Sequence, residues 1–229
     1  LPASVVKEYA EQDVNLTLKL WNIFNKKLDE VLAVSVTGEK KTCRKIFELE
    51  TKLFPCLVDM KFKGVKIDVD KAKRFGIHLR KRKQQIIDAI KTRTTIKVDI
   101  WAASSIKKLL ENLKIKDYKT TPKSKMPQLP KDYLITHKNK CLRMIAKARE
   151  YDKAANTFVD GLLDYVYEGR IHADINQIRS DQGGTVTGRF SMSNPNLQQI
   201  PAKGYIGHKM RELFIPEEGC TWGSFDYSQ

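Results

Sequence analysis

The sequence predicts an α+β protein that is predominantly helical, with its strands towards the end of the chain. Over roughly the first 170 residues, apolar side chains recur every three or four positions, which is the spacing of one face of a helix. After Gly169 the pattern changes, because Ile171, Ala173 and Ile175 alternate with polar residues and the pair Gly183-Gly184 interrupts the chain. These patterns predict a helical region followed by the β-rich start of a second domain.

The first third of the chain predicts two helices and a short strand. A broad apolar stripe predicts a helix over Val5–Lys27, and the polar stretch Val34–Lys41 then reads as a turn region and a domain edge. Apolar residues at helical spacing continue over 46–60, where Pro55 is expected to bend the second helix. A strand is expected at 65–67.

Three further helices are predicted in the middle of the chain. The first has four apolar residues on its inner face: Phe75, Leu79, Ile86 and Ile90. Ser104 or Ser105 is expected to cap the second, because a serine hydroxyl can accept hydrogen bonds from the free amides of a first turn. The third is expected from about Lys140 to Glu168. Packed together, the three helices would form an arm that presents lysine and arginine outward.

The positive charge of the protein is concentrated in this arm. The chain has a formal net charge of +15, and residues 71–147 hold 22 basic and 5 acidic residues, against 20 and 22 in the remainder. A contiguous basic segment favours a polyanionic partner, because each neutralised phosphate releases condensed counterions. A merely solvated helical face would normally carry interspersed acids. The charge pattern therefore favours nucleic acid as the partner.

Composition argues against several other classes of protein. With 41% hydrophobic and 30% charged residues the chain reads as soluble and globular. It has no apolar run of about 20 residues and no cleavable signal pattern, so we expect no membrane partner and a cytoplasmic location. The four cysteines form no Cys-x-x-Cys pair and no Cys/His cluster, which argues against a zinc site or a disulfide framework.

Two strings near the end of the sequence contain the candidate catalytic residues. The first is TVTGRFSMSNPNLQQIP, Thr185–Pro201, in which Arg189 follows a glycine in a predicted turn. The second is SFDYSQ, in which Asp226 is expected to end a short apolar strand. An ionised carboxylate in that place must be paired or bind a cation. Taken alone, Asp226 would more often be an ordinary residue at a strand end than a Mg²⁺ ligand.

Together the two strings resemble the polymerase domain of the family A DNA polymerases, the bacterial DNA polymerase I type. In that family the first string reads TGR(L/F)S…PNLQ.IP and the second begins DYSQIE. The resemblance implies template-directed DNA synthesis, in which a dNTP donates a nucleotide to the primer 3′-hydroxyl of primer–template DNA. Two Mg²⁺ ions serve this reaction in the family, so the resemblance makes Asp226 one of two metal-binding carboxylates and the Tyr227 carbonyl a further ligand.

The same resemblance assigns DNA contacts. Arg189 would lie in the minor groove at the primer terminus, near the incoming nucleotide. Asn196 and Gln198 match family positions that contact DNA close by. Capping and turn hydrogen bonds are an equally good explanation for either of these two residues taken singly.

In the basic arm, the segment WAASSIKKLL resembles the tip of the family's thumb domain. Ser104, Ser105 and Lys107 match its S-S-x-K and would bind phosphates at a helix N-terminus. Arg149 and Lys153 match R…K in a following thumb helix that faces the duplex. A lysine in such a helix is more often merely solvated.

The opening of the chain resembles the last motif of the 3′→5′ proofreading exonuclease, Y-x₃-D. By that resemblance Tyr9 would orient the attacking water and Asp13 would bind a metal ion. The paired Asp-x-Glu that such a site also requires is absent from this sequence. Taken singly, Y-x₃-D on an amphipathic helix is usually a packing pattern.

The resemblance makes the chain a piece of a polymerase. We expect 1–40 to be the end of an exonuclease-like domain, 41–169 a connecting helix and a helical thumb, and 170–229 the first part of an antiparallel β palm. The 229 residues alone should not polymerise, since the second catalytic aspartate of the family lies beyond DYSQ. Two alternatives stay open: a non-catalytic DNA-binding module, and one half of a split polymerase whose partner chain supplies the fingers and the rest of the palm. The sequence does not distinguish DNA replication from DNA repair.

Overall fold

The computed structural model describes residues 3–34, 38, 40–180 and 183–228. It is mostly helical with small antiparallel sheets, so the prediction of an α+β fold is confirmed. The helices are α1 (Ala3–Lys27), α2 (Arg44–Lys63), α3 (Val69–Thr94), α4 (Ala103–Asn112), α5 (Lys131–Thr136), α6 (Lys140–Lys153), α7 (Gly161–Leu163) and α8 (Gly204–Arg211). A π-helical segment (Ala154–Asp160) joins α6 to α7, and a short 3-10 helix (Leu197–Gln199) precedes α8.

The strands are short and pair only in antiparallel fashion. They are β1 (Ala33–Val34), β2 (Lys40–Lys41), β3 (Val65–Lys66), β4 (Lys119–Thr120), β5 (Pro127–Gln128), β6 (Val166–Tyr167), β7 (Arg170–Ile171), β8 (Asp174–Asn176) and β9 (Ser191–Ser193). β1 pairs with β2, β4 with β5 and β8 with β9, and the three-stranded sheet has the order β3-β7-β6. Among the described helices, none is both long enough and apolar enough to span a bilayer.

The chain divides into two compact units, residues 1–62 and 63–229. In the first, the ring centroids of Trp21 and Phe47 lie 5.7 Å apart. The Arg44 guanidinium donates to Asp29 Oδ2 and to Asn25 Oδ1, both at 2.7 Å. The helix predicted over Val5–Lys27 is confirmed, but most of its apolar stripe is exposed to solvent.

In the second unit, α3 and α6 form an antiparallel pair that carries the core. The first half of α3 packs in one hydrophobic cluster with the π-helical segment and α8, and its last part packs in a second cluster with α4 and the start of α6. Ile86, half-buried, touches both clusters. The first cluster includes Phe75, Leu79, Val159, Ile171 and Met210, and the second includes Ile90, Leu110, Leu134, Leu142 and Ile145.

The third helix of the arm ends earlier than the sequence predicts. Helical structure stops at Leu163, and β6 and β7 follow as a hairpin instead of a helix reaching Glu168. Glu168 and Gly169 both have a positive φ, +47° and +77°, which turns the chain tightly between the two strands. The apolar periodicity did not reveal this hairpin, because β7 pairs on its other edge with β3, about a hundred residues away in sequence.

The segment that precedes Asp226 is attached to the three-stranded sheet. Arg170 donates from Nε to the Lys63 carbonyl at 2.5 Å and from a terminal nitrogen to the Gly64 carbonyl at 3.2 Å, and its guanidinium also pairs with Glu217. Lys66 Nζ lies 3.3 Å from Glu217 Oε2. This ion-pair cluster anchors the segment after α8 on the edge of β3, where the Ile215 amide donates to the Lys66 carbonyl at 3.1 Å.

Candidate nucleic-acid interface

The turn that carries Arg189 is fixed at its backbone. Thr185 Oγ1 donates to the Arg189 carbonyl at 2.7 Å, and Gln198 Nε2 donates to the next carbonyl, that of Phe190, at 3.1 Å. Gly188 has φ +72°, a conformation that glycine adopts without strain. The Arg189 side chain is exposed, and its guanidinium has no partner among the residues that the structure describes. The backbone of this turn is therefore held in place, while the Arg189 guanidinium is available to bind a ligand.

Asn196 and Gln198 both make internal hydrogen bonds. Asn196 Oδ1 accepts from the Gln198 amide at 3.1 Å, which caps the short 3-10 helix. The side-chain amide of Gln198 donates to the Phe190 carbonyl, and the Gln198 side chain remains exposed. The structural explanation of these residues therefore holds in this fold, and their contact with DNA stays a prediction.

The end of the first string is packed against α8. Leu197 and Ile200 pack on the same hydrophobic cluster as Ile206 and Met210 of that helix. At Gly207 the two segments approach so closely that a Cβ would lie 2.8 Å from the carbonyl carbon of Ala202. The position of the string thus depends on a helix residue without a side chain.

Substitution of Gly207 by Ala should lower the free energy of unfolding by about 1–2 kcal/mol, because the added methyl group must push the backbone of Ala202 away. Chemical denaturation followed by circular dichroism measures this change. Gly161→Ala is the matched control, since Gly161 is also helical and a Cβ there would meet nothing within 4 Å. Equal stabilities of the two variants would show that the close contact is unimportant.

The strand expected before Asp226 is not formed, and that prediction is wrong for the described residues. Residues 221–228 have no regular secondary structure, and the side chain of Phe225 is 97% exposed. Pairing with β3 ends near Ile215, and no described strand pairs with the following residues. The Asp226 carboxylate is exposed and without a partner among the described residues, where no group of three or more potential metal ligands occurs.

The start of α4 differs from the prediction in its cap. Ala102, not Ser104 or Ser105, is the N-cap, and no side chain caps the helix. Asp99 instead organises the preceding loop, since its Oδ1 accepts from the amides of Trp101 and Ala102 at 2.9 and 3.2 Å. Ser105 Oγ accepts from the Asp99 amide at 2.9 Å. The first amides of α4 are therefore left without a side-chain partner.

The remaining predicted phosphate ligands of the arm differ in their surroundings. Ser104, Lys107 and Lys153 are exposed, with Lys153 Nζ 5.8 Å from the centroid of the Phe158 ring. Arg149 is half-buried, and burial lowers the pKa of its guanidinium. It still carries its charge at neutral pH.

Arg149 is held by the tip of the arm itself. Its Nε donates to the Ile100 carbonyl at 2.7 Å, and one terminal nitrogen donates to the Leu129 carbonyl at 3.4 Å. Its guanidinium carbon also lies 5.1 Å from the centroid of the Trp101 ring. The structure thus gives Arg149 a packing role, and a contact with DNA stays a prediction.

One cleft joins the tip of the arm to the end of the first string. It has a volume of about 490 Å³ and is lined by residues of α5, α6, the π-helical segment and 201–206. Four basic side chains and one acidic side chain, Glu150, line it; the basic ones are Lys131, Arg149, Lys153 and Lys203. The fold therefore gathers cations from distant parts of the sequence around one groove.

Tyr9 and Asp13 lie one helical turn apart on α1. Tyr9 is 67% exposed, and Asp13 lines a shallow cavity of about 460 Å³ with Val14 and Thr17. The Asp13 carbonyl accepts from Thr17 Oγ1 at 2.8 Å. Among the described residues no second carboxylate lines this cavity, and the exonuclease-like roles of the two residues stay predictions.

Comparison with known proteins identifies the family. The profile of DNA polymerase family A matches residues 69–229, more than two thirds of the chain. The chain belongs to DNA polymerase family A. The matched region contains the basic arm, the first string and Asp226.

Relatives of this family A chain come from phages and bacteria. The DNA-directed DNA polymerase of Pseudomonas phage M6 is 30% identical over 239 residues, which cover 100% of this chain and 34% of the relative. DNA polymerase DpoZ of Salmonella phage PMBT28 is 30% identical, with 100% and 38% covered, and DNA polymerase I of Borreliella burgdorferi is 28% identical, with 96% and 23% covered. The chain thus spans between 23% and 38% of the length of these relatives.

A solved structure shares the fold. It is the POL domain of Pol1 from M. smegmatis in complex with DNA primer-template and dNTP. The TM-score is 0.60 at 22% identity, with 74% of this chain and 30% of that chain covered. At this identity the likeness establishes the architecture alone.

Proposed function

We propose that the full-length protein is a DNA-directed DNA polymerase that transfers deoxynucleotides from dNTPs to the 3′-hydroxyl of a primer paired with a template. One observation carries the proposal: the family A match extends over the basic arm and both strings. Because the relatives come from phages and bacteria, the proposed place of action is the bacterial cytoplasm.

The proposed division of the chain follows the family. Residues 1–40 would be the end of an exonuclease-like domain, with Tyr9 and Asp13 as remnants of its last motif. Residues 41–169 would be the connecting helix and the thumb, and 170–229 the first part of the palm. The ordered arm built from α3, α4 and α6 supports the assignment of the thumb.

The donor atoms near the end of the chain fit Mg²⁺. The Asp226 carboxylate and the Tyr227 carbonyl are oxygen ligands, which this cation prefers, and the carboxylate is committed to no described neighbour. When bound, two Mg²⁺ ions would activate the primer hydroxyl and offset the charge of the triphosphate. Asp226 would supply one of the two carboxylates that such a pair of ions requires.

Arg189 is proposed to sense the primer terminus. Its guanidinium can donate to the minor-groove acceptors that every correct base pair presents. The hydrogen bonds from Thr185 and Gln198 hold the turn, so that the side chain need not reorganise the backbone on binding. Asn196 would act beside it.

The arm is proposed to hold the duplex by its backbone. The uncapped first turn of α4, with Ser104, Ser105 and Lys107, offers amides, hydroxyls and a cation to phosphates. Lys153, exposed at the cleft, would bind a further phosphate. Such contacts give affinity without sequence preference, which a polymerase needs.

Duplex binding should weaken steeply with salt. If Lys107 and Lys153 each neutralise one phosphate, the slope of log K against log salt is about −1.8, and a fourfold rise in salt weakens binding about twelvefold. Fluorescence anisotropy with a labelled primer–template measures the slope. Lys107→Ala should reduce its magnitude by about 0.9, whereas Lys52→Ala, on exposed α2 surface outside the basic arm, should leave it unchanged. An affinity that barely responds to salt would exclude the arm as the binding surface.

A further inference from the structure

Asp152 lies where three parts of the arm meet. Its carboxylate accepts from Lys83 Nζ of α3 at 2.8 Å, from the Trp101 indole nitrogen at 2.6 Å and from Asn156 Nδ2 at 3.1 Å. The side chain is only 13% exposed. Burial raises the pKa of Asp152, but the hydrogen bonds from Lys83, Trp101 and Asn156 and the charge of Lys83 together bring the pKa below its ordinary value. The group is therefore an ionised acceptor at neutral pH.

Trp101 connects this carboxylate to the start of α4. It stands directly before the N-cap Ala102, and its own amide is held by Asp99. The indole is braced on α6 twice, by the hydrogen bond to Asp152 and by the Arg149 guanidinium 5.1 Å from its ring. In the second cluster the apolar contacts of the loop end at Ile100 and those of α4 begin at Ile106, so between these two residues the polar contacts of Asp99 and Trp101 fix the chain.

We propose that Asp152 is a positioning residue that, through Trp101, holds the first turn of α4 in the orientation in which Ser104, Ser105 and Lys107 meet the DNA backbone. The inference rests on the proposed function, since it gives that turn its role in binding duplex DNA. It adds a residue that is not one of the matched positions of the R…K motif in α6.

The sign of the expected effect separates positioning from electrostatics. Asp152 is negative in a strongly basic arm, so its direct effect on a polyanion is repulsive, and its removal alone would tighten DNA binding. If the carboxylate orients the phosphate-binding turn, its removal weakens DNA binding instead. A role in stability alone predicts a lower melting temperature with unchanged affinity well below that temperature.

The test uses Asp152→Ala and Trp101→Phe in the full-length protein. Trp101→Phe keeps an aromatic ring and removes the indole donor together with part of the ring surface. Each variant should weaken primer–template binding at 0.15 M salt about fivefold, the loss of one phosphate contact, and the double variant should lose no more than either single one. In steady-state synthesis, the KM for primer–template should rise while kcat at saturating DNA stays unchanged.

Lys107→Ala supplies the decisive comparison. It should weaken the wild type about fivefold and the Asp152→Ala background less than about twofold, because the turn is already displaced there. Asp88→Ala is the matched control, since it removes the same charge from an exposed site on α3 and should bind as the wild type does or more tightly.

Each outcome either supports or contradicts the positioning role of Asp152. If Lys107→Ala weakens the wild type but Asp152→Ala and Trp101→Phe leave affinity unchanged or tighter, the positioning role is wrong and the proposed function stands. If Lys107→Ala leaves the wild type unchanged, the contact between α4 and DNA is wrong, and the inference falls with it. Should Asp152→Ala fail to fold by circular dichroism, the Trp101→Phe pair with Lys107→Ala decides alone.

Discussion

Substitution of Asp226 by Ala in the full-length protein should reduce nucleotide incorporation at least about a thousandfold, because a carboxylate that binds a catalytic metal contributes several kcal/mol to transition-state stabilisation. Duplex affinity should stay within about twofold, since Asp226 carries negative charge and lies outside the basic arm. Single-turnover extension of a labelled primer gives the rate, and anisotropy gives the affinity.

Asp164→Ala is the control for this substitution. Asp164 is exposed and lies near the end of the arm, so its removal changes the net charge equally and should leave extension unchanged. The pair of measurements also separates a polymerase from a non-catalytic DNA-binding module. Retention of full incorporation by Asp226→Ala would remove the metal-ligand role of this residue, and with it the central assignment of the site.

The helices of the arm could be predicted because their cores are periodic. Phe75, Leu79 and Ile90 recur on one face of α3 and are buried. The ends of elements were less predictable, since the hairpin after Leu163 depends on β3 and on the turn at Glu168-Gly169. Local pattern reports the buried face of a helix, whereas its termination often depends on residues distant in sequence.

The sequence predicted which residues form the candidate site, but it predicted few of the contacts that these residues make. The strings near Arg189 and Asp226 pointed to DNA polymerase family A, and the profile match confirmed that family. The internal partners of Arg149 and Asp152 could not be read from the sequence, because Ile100 and Trp101 lie about fifty residues away. An aspartate such as Asp99, just before a helix that lacks a side-chain cap, is a local signal that could have been noticed.

Arg149→Ala should destabilise the arm by about 2–3 kcal/mol, because it leaves the Ile100 and Leu129 carbonyls without their donor and removes the guanidinium from the Trp101 ring. Urea denaturation measures the free energy of unfolding. Arg149→Lys should recover little of the loss, since an ammonium group cannot donate in two fixed directions as the planar guanidinium does.

Lys153, on the same helix, is the control for Arg149. It is exposed and makes no described hydrogen bond, so Lys153→Ala should leave the free energy of unfolding within about 0.5 kcal/mol and weaken duplex binding about fivefold. For Arg149→Lys the expected pattern differs: stability is lost, and duplex binding, measured well below the unfolding transition, weakens no more than in Trp101→Phe, because both changes remove a support of the same turn. If Arg149→Lys is as stable as the wild type, the bonds to the two carbonyls do not hold the tip. The position would then be, as the family resemblance implies, a contact for DNA rather than a support for the residues that contact it.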